Sequence, residues 1–326
     1  MTFTITRRAT LAAGCALALS ALPALAADWP NAPVHIVVGF PAGSSPDTLA
    51  RLVAEPLAKA LGQPVVVDNK AGAGGVIGVG QVAAASDGHT FGVTINGPLT
   101  TAQRLVPGLS YDPATDLAPV TLLATSPMVL VLNNQAEPTD LSGFVDWARA
   151  HPGEVSYGSV GQGSGAHLTM ELFAQAEGLD LLHIPFQSYA EVTNAMIGQE
   201  VNAAFMAPSG ALAQYKAGKL KVLGITSGQP SDLAPDVPVM AGQAGLPGDF
   251  RAELWNAVIA PAGTDSAVIE RLNTEINTIL QDPDLRQKML EIGWQAQGGS
   301  AQDLQDRITA DTALWGAVID KTGLAK

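Results

Sequence analysis

The chain has 326 residues, of which 47% are hydrophobic and only 14% charged. That is apolar mass for one large or two medium domains, and too much for a disordered chain. A formal net charge of −13 excludes the basic footprint that nucleic acid requires, and 5% aromatic content argues against a carbohydrate-stacking surface.

In chain order, Arg7 and Arg8 precede an apolar stretch from Ala9 to Leu22, which leads into Pro23-Ala24-Leu25-Ala26-Ala27. A positive start, a short apolar run and an A-x-A site predict a signal peptide over 1–26, cut after Ala26, and a mature chain in the periplasm. The run is shorter than the ~20 residues of a membrane span. Thr6-Arg7-Arg8-Ala9-Thr10-Leu11 also resembles a twin-arginine signal. Cys15 is the only cysteine. A lipoprotein cut there would leave an apolar tail, and its removal with the signal leaves a chain without disulfides.

Val34 to Phe40 reads as a strand covered on both faces, followed by a turn from Pro41 to Pro46. A helix follows with Leu49, Leu52, Val53, Leu57 and Leu61 on one face, interrupted by Pro56 and closed by Gly62. Val65 to Val67 is a strand, Gly72-Ala73-Gly74-Gly75 opens a helix, and Phe91 to Ile95 is a third strand. Strands at Val120 to Leu123 and Met128 to Leu132 lead to a helix at Gly143 to Ala150. Then come a strand at Val155 to Gly158, a helix from Ser164 to Ala176 and a strand at Leu181 to Pro185. Glu191 to Ile197 is helical, and Val201 to Phe205 and Leu220 to Thr226 are strands. Residues 227–250 are rich in Pro, Gly and Asp and read as an irregular connection. A strand at Trp255 to Ala260 precedes helices at 266–281, 283–292 and 301–322. This alternation predicts α/β layers, in two units.

Motifs for chemistry are sparse. None of the five histidines pairs with another His or Cys at i, i+3 or i+4, so no metal site is expected. The G-x-S-x-G elbow is missing around both Ser159 and Ser164. Gly161-Gln162-Gly163-Ser164-Gly165-Ala166 fits G-x-G-x-x-A, but no acidic residue closes the next strand, so no dinucleotide or other cofactor is expected. A serine hydrolase using Ser159 or Ser164 with His167 lacks a third group to orient the imidazole.

Two strand-to-helix turns remain: Phe40 to Asp47, with Ser45 or Asp47 as cap, and Ser159 to Ser164, with Ser164 as cap. Gly72 to Gly75 supplies a third small-residue helix start. Bare helix starts carry unpaired N–H groups and about half a positive charge, so they are ready anion sites. One in each of two halves, facing across a cleft, suits an acid with two anionic ends.

Phe40-Pro41-x-Gly43 with Asp47 and Ala50-Arg51 resembles the first loop and helix of the tripartite tricarboxylate transporter receptors, the Bug-type solute-binding proteins. The resemblance continues through Leu61 to Val67, Asn69 to Gly75, Asp87 to Thr90, Tyr111-Asp112-Pro113, Tyr157 to Gly161, His167-Leu168, His183 to Phe186, Lys216 to Leu220 and Ala260 to Thr264. It implies two α/β lobes of the type II periplasmic-binding-protein kind, joined by crossing hinge strands. The expected division is 27–126 plus 251–326 for the first lobe and 127–250 for the second. It also implies a monomer that takes a small organic carboxylate to membrane transporter subunits; a ligand-presenting partner of a sensor is the alternative.

Carried over residue by residue, the resemblance places Gly43, Ser44, Ser45 and Asp47 in the first-lobe loop. Gly74, Gly75, Asn96 and Gly97 lie at neighbouring strand ends, and Ser159, Gly161, Gly163, Ser164 and His167 face them from the second lobe. Three departures stand out. Ser44 and Phe186-Gln187-Ser188 stand where the family often has Gly and Tyr-Lys-Gly. Met206 and Ala207 occupy the place of an acidic-polar pair. The last removes an acceptor for an ammonium group, which a buried cation needs. The expected ligand is therefore a non-amino acid with an apolar body, an aromatic or aliphatic mono- or dicarboxylate, with Phe186 and Tyr189 as apolar neighbours.

Overall fold

The structure, a computed structural model, describes residues 29–324; the expected signal peptide, its cut site and Cys15 lie outside the described residues. Along the first part of the chain come β1 (Val34–Val38), α1 (Ser45–Leu61), β2 (Val65–Asn69), α2 (Val76–Ala83), β3 (Thr90–Ile95), α3 (Asn96–Thr100), α4 (Ala102–Leu105) and β4 (Leu117–Pro127). The middle holds β5 (Val129–Asn133), α5 (Leu141–Ala150), β6 (Ser156–Ser159), α6 (Gly165–Glu177), β7 (Leu182–Pro185), α7 (Tyr189–Ile197), β8 (Ala203–Met206), α8 (Pro208–Lys216) and β9 (Leu220–Ile225). The chain closes with β10 (Glu253–Pro261), α9 (Ser266–Ile279), α10 (Pro283–Glu291), β11 (Gln295–Ala296) and α11 (Ala301–Thr322).

These elements form two lobes, one around a sheet of order β11-β4-β10-β3-β1-β2 and one around β7-β6-β8-β5-β9. Apart from β11 the two sheets share one plan. β1 is parallel to β2 and β3 as β6 is to β7 and β8; β10 then runs antiparallel to β3 and β4, as β5 does to β8 and β9. Period-2 alternation explains the near-continuous apolar strands. Val34, Ile36 and Val38 pack under Leu49, Val53 and Leu57 of α1, while Val37 points to the opposite face, with Val76, Val79 and Val82 of α2. The second sheet is covered in the same way on both faces, around Phe144 and Phe173 on one and Val192 and Met196 on the other.

The chain passes from the first sheet to the second at Met128, the single residue between β4 and β5, and returns through 226–252. Thr226 ties the two crossings together: its N–H donates to Met128 O (2.9 Å), its Oγ1 accepts from Met128 N–H (2.8 Å), and its carbonyl accepts from Ala252 N–H (3.1 Å). Beside them Trp255 Nε1–H donates to Asp311 (2.6 Å) and Arg307 joins Asp311 (3.0 Å) to Glu253 (3.3 Å), which anchors α11 to β10.

Several local expectations change. α1 runs unbroken through Pro56, because its buried stripe of Leu49, Val53, Leu57 and Leu61 outweighs the ~3 kcal/mol a helical proline costs. β4 reaches Pro127 rather than Leu123, since β10 pairs with it along its length. The short helices α3, α4 and α8 and the two-residue β11 carry too little periodicity to be read locally. Among the described residues no helix is long and apolar enough to cross a membrane, and no cluster of His, Cys, Asp or Glu could hold a metal ion.

Candidate functional site

The loop after β1 is built from inside by Asp47. This carboxylate is 2% exposed and accepts from Gly43 N–H (2.8 Å), Arg51 Nε (3.0 Å) and Asn69 Nδ2 (2.8 Å). Burial alone would raise its pKa; the hydrogen bonds from Arg51, Gly43 and Asn69 together win and hold it below the usual carboxylate range. Asn69 Nδ2 also donates to Phe40 O (3.0 Å), so the end of β2 fixes the end of β1. Ser44, not Ser45 or Asp47, is the N-cap residue, and its Oγ donates back to Pro41 O rather than capping. With Gly43 N–H given to Asp47 and Ser44 N–H to Pro41 O (3.2 Å), the N–H groups of Ser45 and Asp47 have no acceptor among the described residues. Asp47 therefore serves the loop and offers a ligand only its N–H. Arg51 and Asn69 do this work beside it; both stand in the sequence motif, but only the fold brings them to the Asp47 carboxylate.

The loop after β6 has the same turn. Gly163 N–H donates to His167 Nδ1 (3.0 Å), Ser164 N–H donates to Gly161 O (3.2 Å), and Ser164 is the N-cap residue. Gly43 and Gly163 both hold left-handed φ, +83° and +77°, and Ser44 and Ser164 have nearly equal backbone angles, −69°, 163° and −66°, 158°. Here Ser164 does cap as expected, accepting from His167 N–H (3.3 Å), and the N–H groups of Gly165 and Ala166 are left without acceptors among the described residues. His167 is 5% exposed, and its unprotonated Nδ1 holds the loop from behind.

A support for this loop that sequence reading missed is His183 on β7. Its Nε2 lies 2.7 Å from Ser159 Oγ, which accepts from Gly161 N–H (3.2 Å), and its ring centroid is 4.1 Å from that of His167. Burial and the neighbouring His167 push the His183 pKa down to about 4, against an opposing pull from Glu171; burial alone lowers that of His167. Ser159 is wholly buried, so its contact with His183 ties the turn.

The two lobes meet at a cavity of about 200 Å³ lined by Ile95, Asn96, Gly97 and Thr101 from the first and Gly163, Ser164, Gly165, Leu168 and Thr169 from the second, with Glu253, Leu254 and Trp315 beside the crossing. The structure thus brings Asn96 and Gly97 together with Gly163 and Ser164, whereas none of Gly43, Ser44, Ser45 and Asp47 lines this cavity. A Cβ on Gly165 would come within 2.7 Å of Leu254 Cδ2, so a larger residue where α6 abuts β10 requires the Leu254 side chain to shift. No Lys or Arg lines this cavity. A larger groove, about 570 Å³, lies between 227–231, β11 and α11, where Arg307 is already engaged by Glu253 and Asp311.

The remaining expected site residues are placed differently from one another. Gly74 is exposed, whereas Gly75 is packed so that a Cβ would meet the Phe40 ring at 2.6 Å; it closes the loop and has no free face. Met206, expected to face the ligand, is 3% exposed and lies in the core with Val129, Ala204 and Ala211, because β8 turns that side chain to the sheet face that α7 and α8 cover. Ala207 is exposed at the start of α8.

A family profile described as "Tripartite tricarboxylate transporter family receptor" matches residues 49–324. Protein BugT of Bordetella pertussis (strain Tohama I) is 35% identical over 93% of this chain and 93% of its own length. Two solved structures from Rhodopseudomonas palustris are similar throughout. Rpa4515 with adipate is 32% identical with a TM-score of 0.72 and covers 91% of this chain and 99% of its own. MatC with bound malate is 30% identical with a TM-score of 0.68 and covers 89% and 100%. The chain belongs to the tripartite tricarboxylate transporter receptors, the Bug-type periplasmic solute-binding proteins.

Proposed function

We propose that this receptor binds a dicarboxylate between its lobes, one carboxylate on the N–H groups of Ser45 and Asp47 and the other on those of Gly165 and Ala166. The observation that carries this is the repeated turn, which leaves two N–H groups at a helix start in each lobe without acceptors among the described residues. Each such terminus stabilises an anion by ~0.3–1 kcal/mol, up to ~2 where partly buried, so no cationic side chain is required. The relatives solved with adipate and malate support a two-ended acid. The lobes are assigned as 27–126 plus 251–326 and 127–250, supported by the membership of the two sheets. The protein acts as a monomer in the periplasm and passes its ligand to membrane subunits of a tripartite tricarboxylate-type transporter.

The resemblance puts an acidic-polar pair where Met206 and the exposed Ala207 stand, and its loss here favours acids without an amino group. Calorimetry against adipate, terephthalate, benzoate, malate, citrate, aspartate and glutamate tests this. Adipate-like acids are expected to bind at micromolar strength or better. Micromolar binding of aspartate or glutamate, with none of adipate, terephthalate or benzoate, would overturn the ligand class.

A further inference from the structure

We propose that His167 is a positioning residue of the second-lobe carboxylate site, where its imidazole serves as a neutral replica of the Asp47 carboxylate. The proposal rests on the dicarboxylate reading above. In both loops the glycine two residues before the helix donates its N–H to the side chain four residues on: Gly43 to Asp47 Oδ2 at 2.8 Å and Gly163 to His167 Nδ1 at 3.0 Å. That bond removes one N–H from the ligand's reach and sets the turn from which the next helix starts. In each lobe a side chain from the adjacent parallel strand steadies the assembly, Asn69 on β2 and His183 on β7.

The two acceptors differ in what they need. A carboxylate accepts while charged, and Arg51 stands beside Asp47 to balance it. An imidazole accepts at Nδ1 only while that nitrogen is bare. Two of the groups around His167 carry no negative charge, His183 on β7 at 4.1 Å between centroids and Tyr157 on β6 at 6.3 Å; Glu171 on α6, which pulls His183 toward its charged form, is engaged by the Tyr157 hydroxyl at 2.6 Å. Burial further disfavours the imidazolium. Were Nδ1 protonated, its N–H would face that of Gly163 and the turn would open. The ring therefore shapes the loop, and the ligand carboxylate meets Gly165 and Ala166 rather than His167.

The test uses the mature protein with adipate as probe, at pH 7.5. Asn places its oxygen close to where Nδ1 sits, whereas Phe keeps the ring and removes the acceptor. His167→Phe is expected to weaken adipate binding about tenfold or more, the scale of an orphaned buried donor. His167→Asn is expected to stay within about threefold of wild type, as acceptor rescue requires. Wild-type affinity in His167→Phe, or an equal loss in both variants, overturns the proposal. Amide exchange at Gly163 reads the same contact without ligand: protection lost in the Phe variant and kept in the Asn variant supports it, and unchanged protection in the Phe variant overturns it. If the wild type binds no carboxylate at all, the dicarboxylate reading fails while the exchange result still judges His167. Nitrogen NMR of the wild-type imidazole needs no variant; a proton on Nδ1 would sink the idea.

Discussion

The loop after β1 and the loop after β6 fold to the same turn on sequences that share little beyond Gly-Ser: Phe40-Pro41-Ala42-Gly43-Ser44-Ser45-Pro46-Asp47 and Val160-Gly161-Gln162-Gly163-Ser164-Gly165-Ala166-His167. Both follow the strand that is parallel to its two neighbours, and both open a helix with two N–H groups that have no acceptor among the described residues. They differ in what stands behind the turn. The first-lobe loop is tied by a charged carboxylate within an Arg51–Asn69 network, the second by a neutral ring packed at a tilt against another ring. Each of these two loops combines a glycine with left-handed φ, an acceptor four residues on and a brace from the adjacent strand. The chemistry of the acceptor is free to vary.

Removing the first-lobe acceptor should have the largest effect. Asp47→Ala leaves the exposed Gly43 N–H without its acceptor and takes from Asn69 Nδ2 one of its two partners, the other being Phe40 O, and about 1–2 kcal/mol of stability should be lost. Urea unfolding measures it; a loss under about 0.5 kcal/mol, within the range of an ordinary surface change, would mean the loop does not depend on Asp47. Acid separates the lobes next. His183 and His167 have depressed pKa values, so below the unfolded value near 6.5 the unfolded chain binds more protons and stability falls with pH, down to about 4 for His183. Asp47 is also depressed, but its contribution is complete above its unfolded value of 3.8 and is lost only as pH falls below that. Urea midpoints should therefore decline between pH 6.5 and 4.5, and less steeply in His183→Asn; a flat profile over that range refutes the neutral-ring assignment.

Parallel glycine substitutions should behave alike. A Cβ at Gly43 meets nothing within 4 Å and one at Gly163 only Leu105 at 3.7 Å, so Gly43→Ala and Gly163→Ala each incur only left-handed strain, about 1 kcal/mol. Unequal losses differing by more than about 1 kcal/mol would show that the turns are not equivalent. The smallest contrast is at the caps. Ser164→Ala removes a side-chain cap and should cost about 0.5–1 kcal/mol, whereas Ser44→Ala removes only the exposed bond to Pro41 O and should cost less. Thermal melts of the pair decide whether Ser44 has a hidden capping role.

By itself the sequence determined the alternation of apolar strands and amphipathic helices, since Val34 to Val38 and the Leu49-Val53-Leu57 stripe carry their periods openly. It also marked both Gly-Ser helix starts, because left-handed turns and caps impose residue types locally. It could not show which of those residues face outward. Met206 reads as exposed to a ligand until β8 pairs with β5 and turns it into the core. Asp47 and His167 read as ligand contacts until the fold closes Gly43 and Gly163 over them. Asn69 and His183 lie on other strands altogether, and only sheet pairing brings them beside the loops they brace. Local periodicity is written in neighbouring residues; the direction in which a polar group finds its partner is set by strands far apart in the chain, and that was decided by tertiary structure alone.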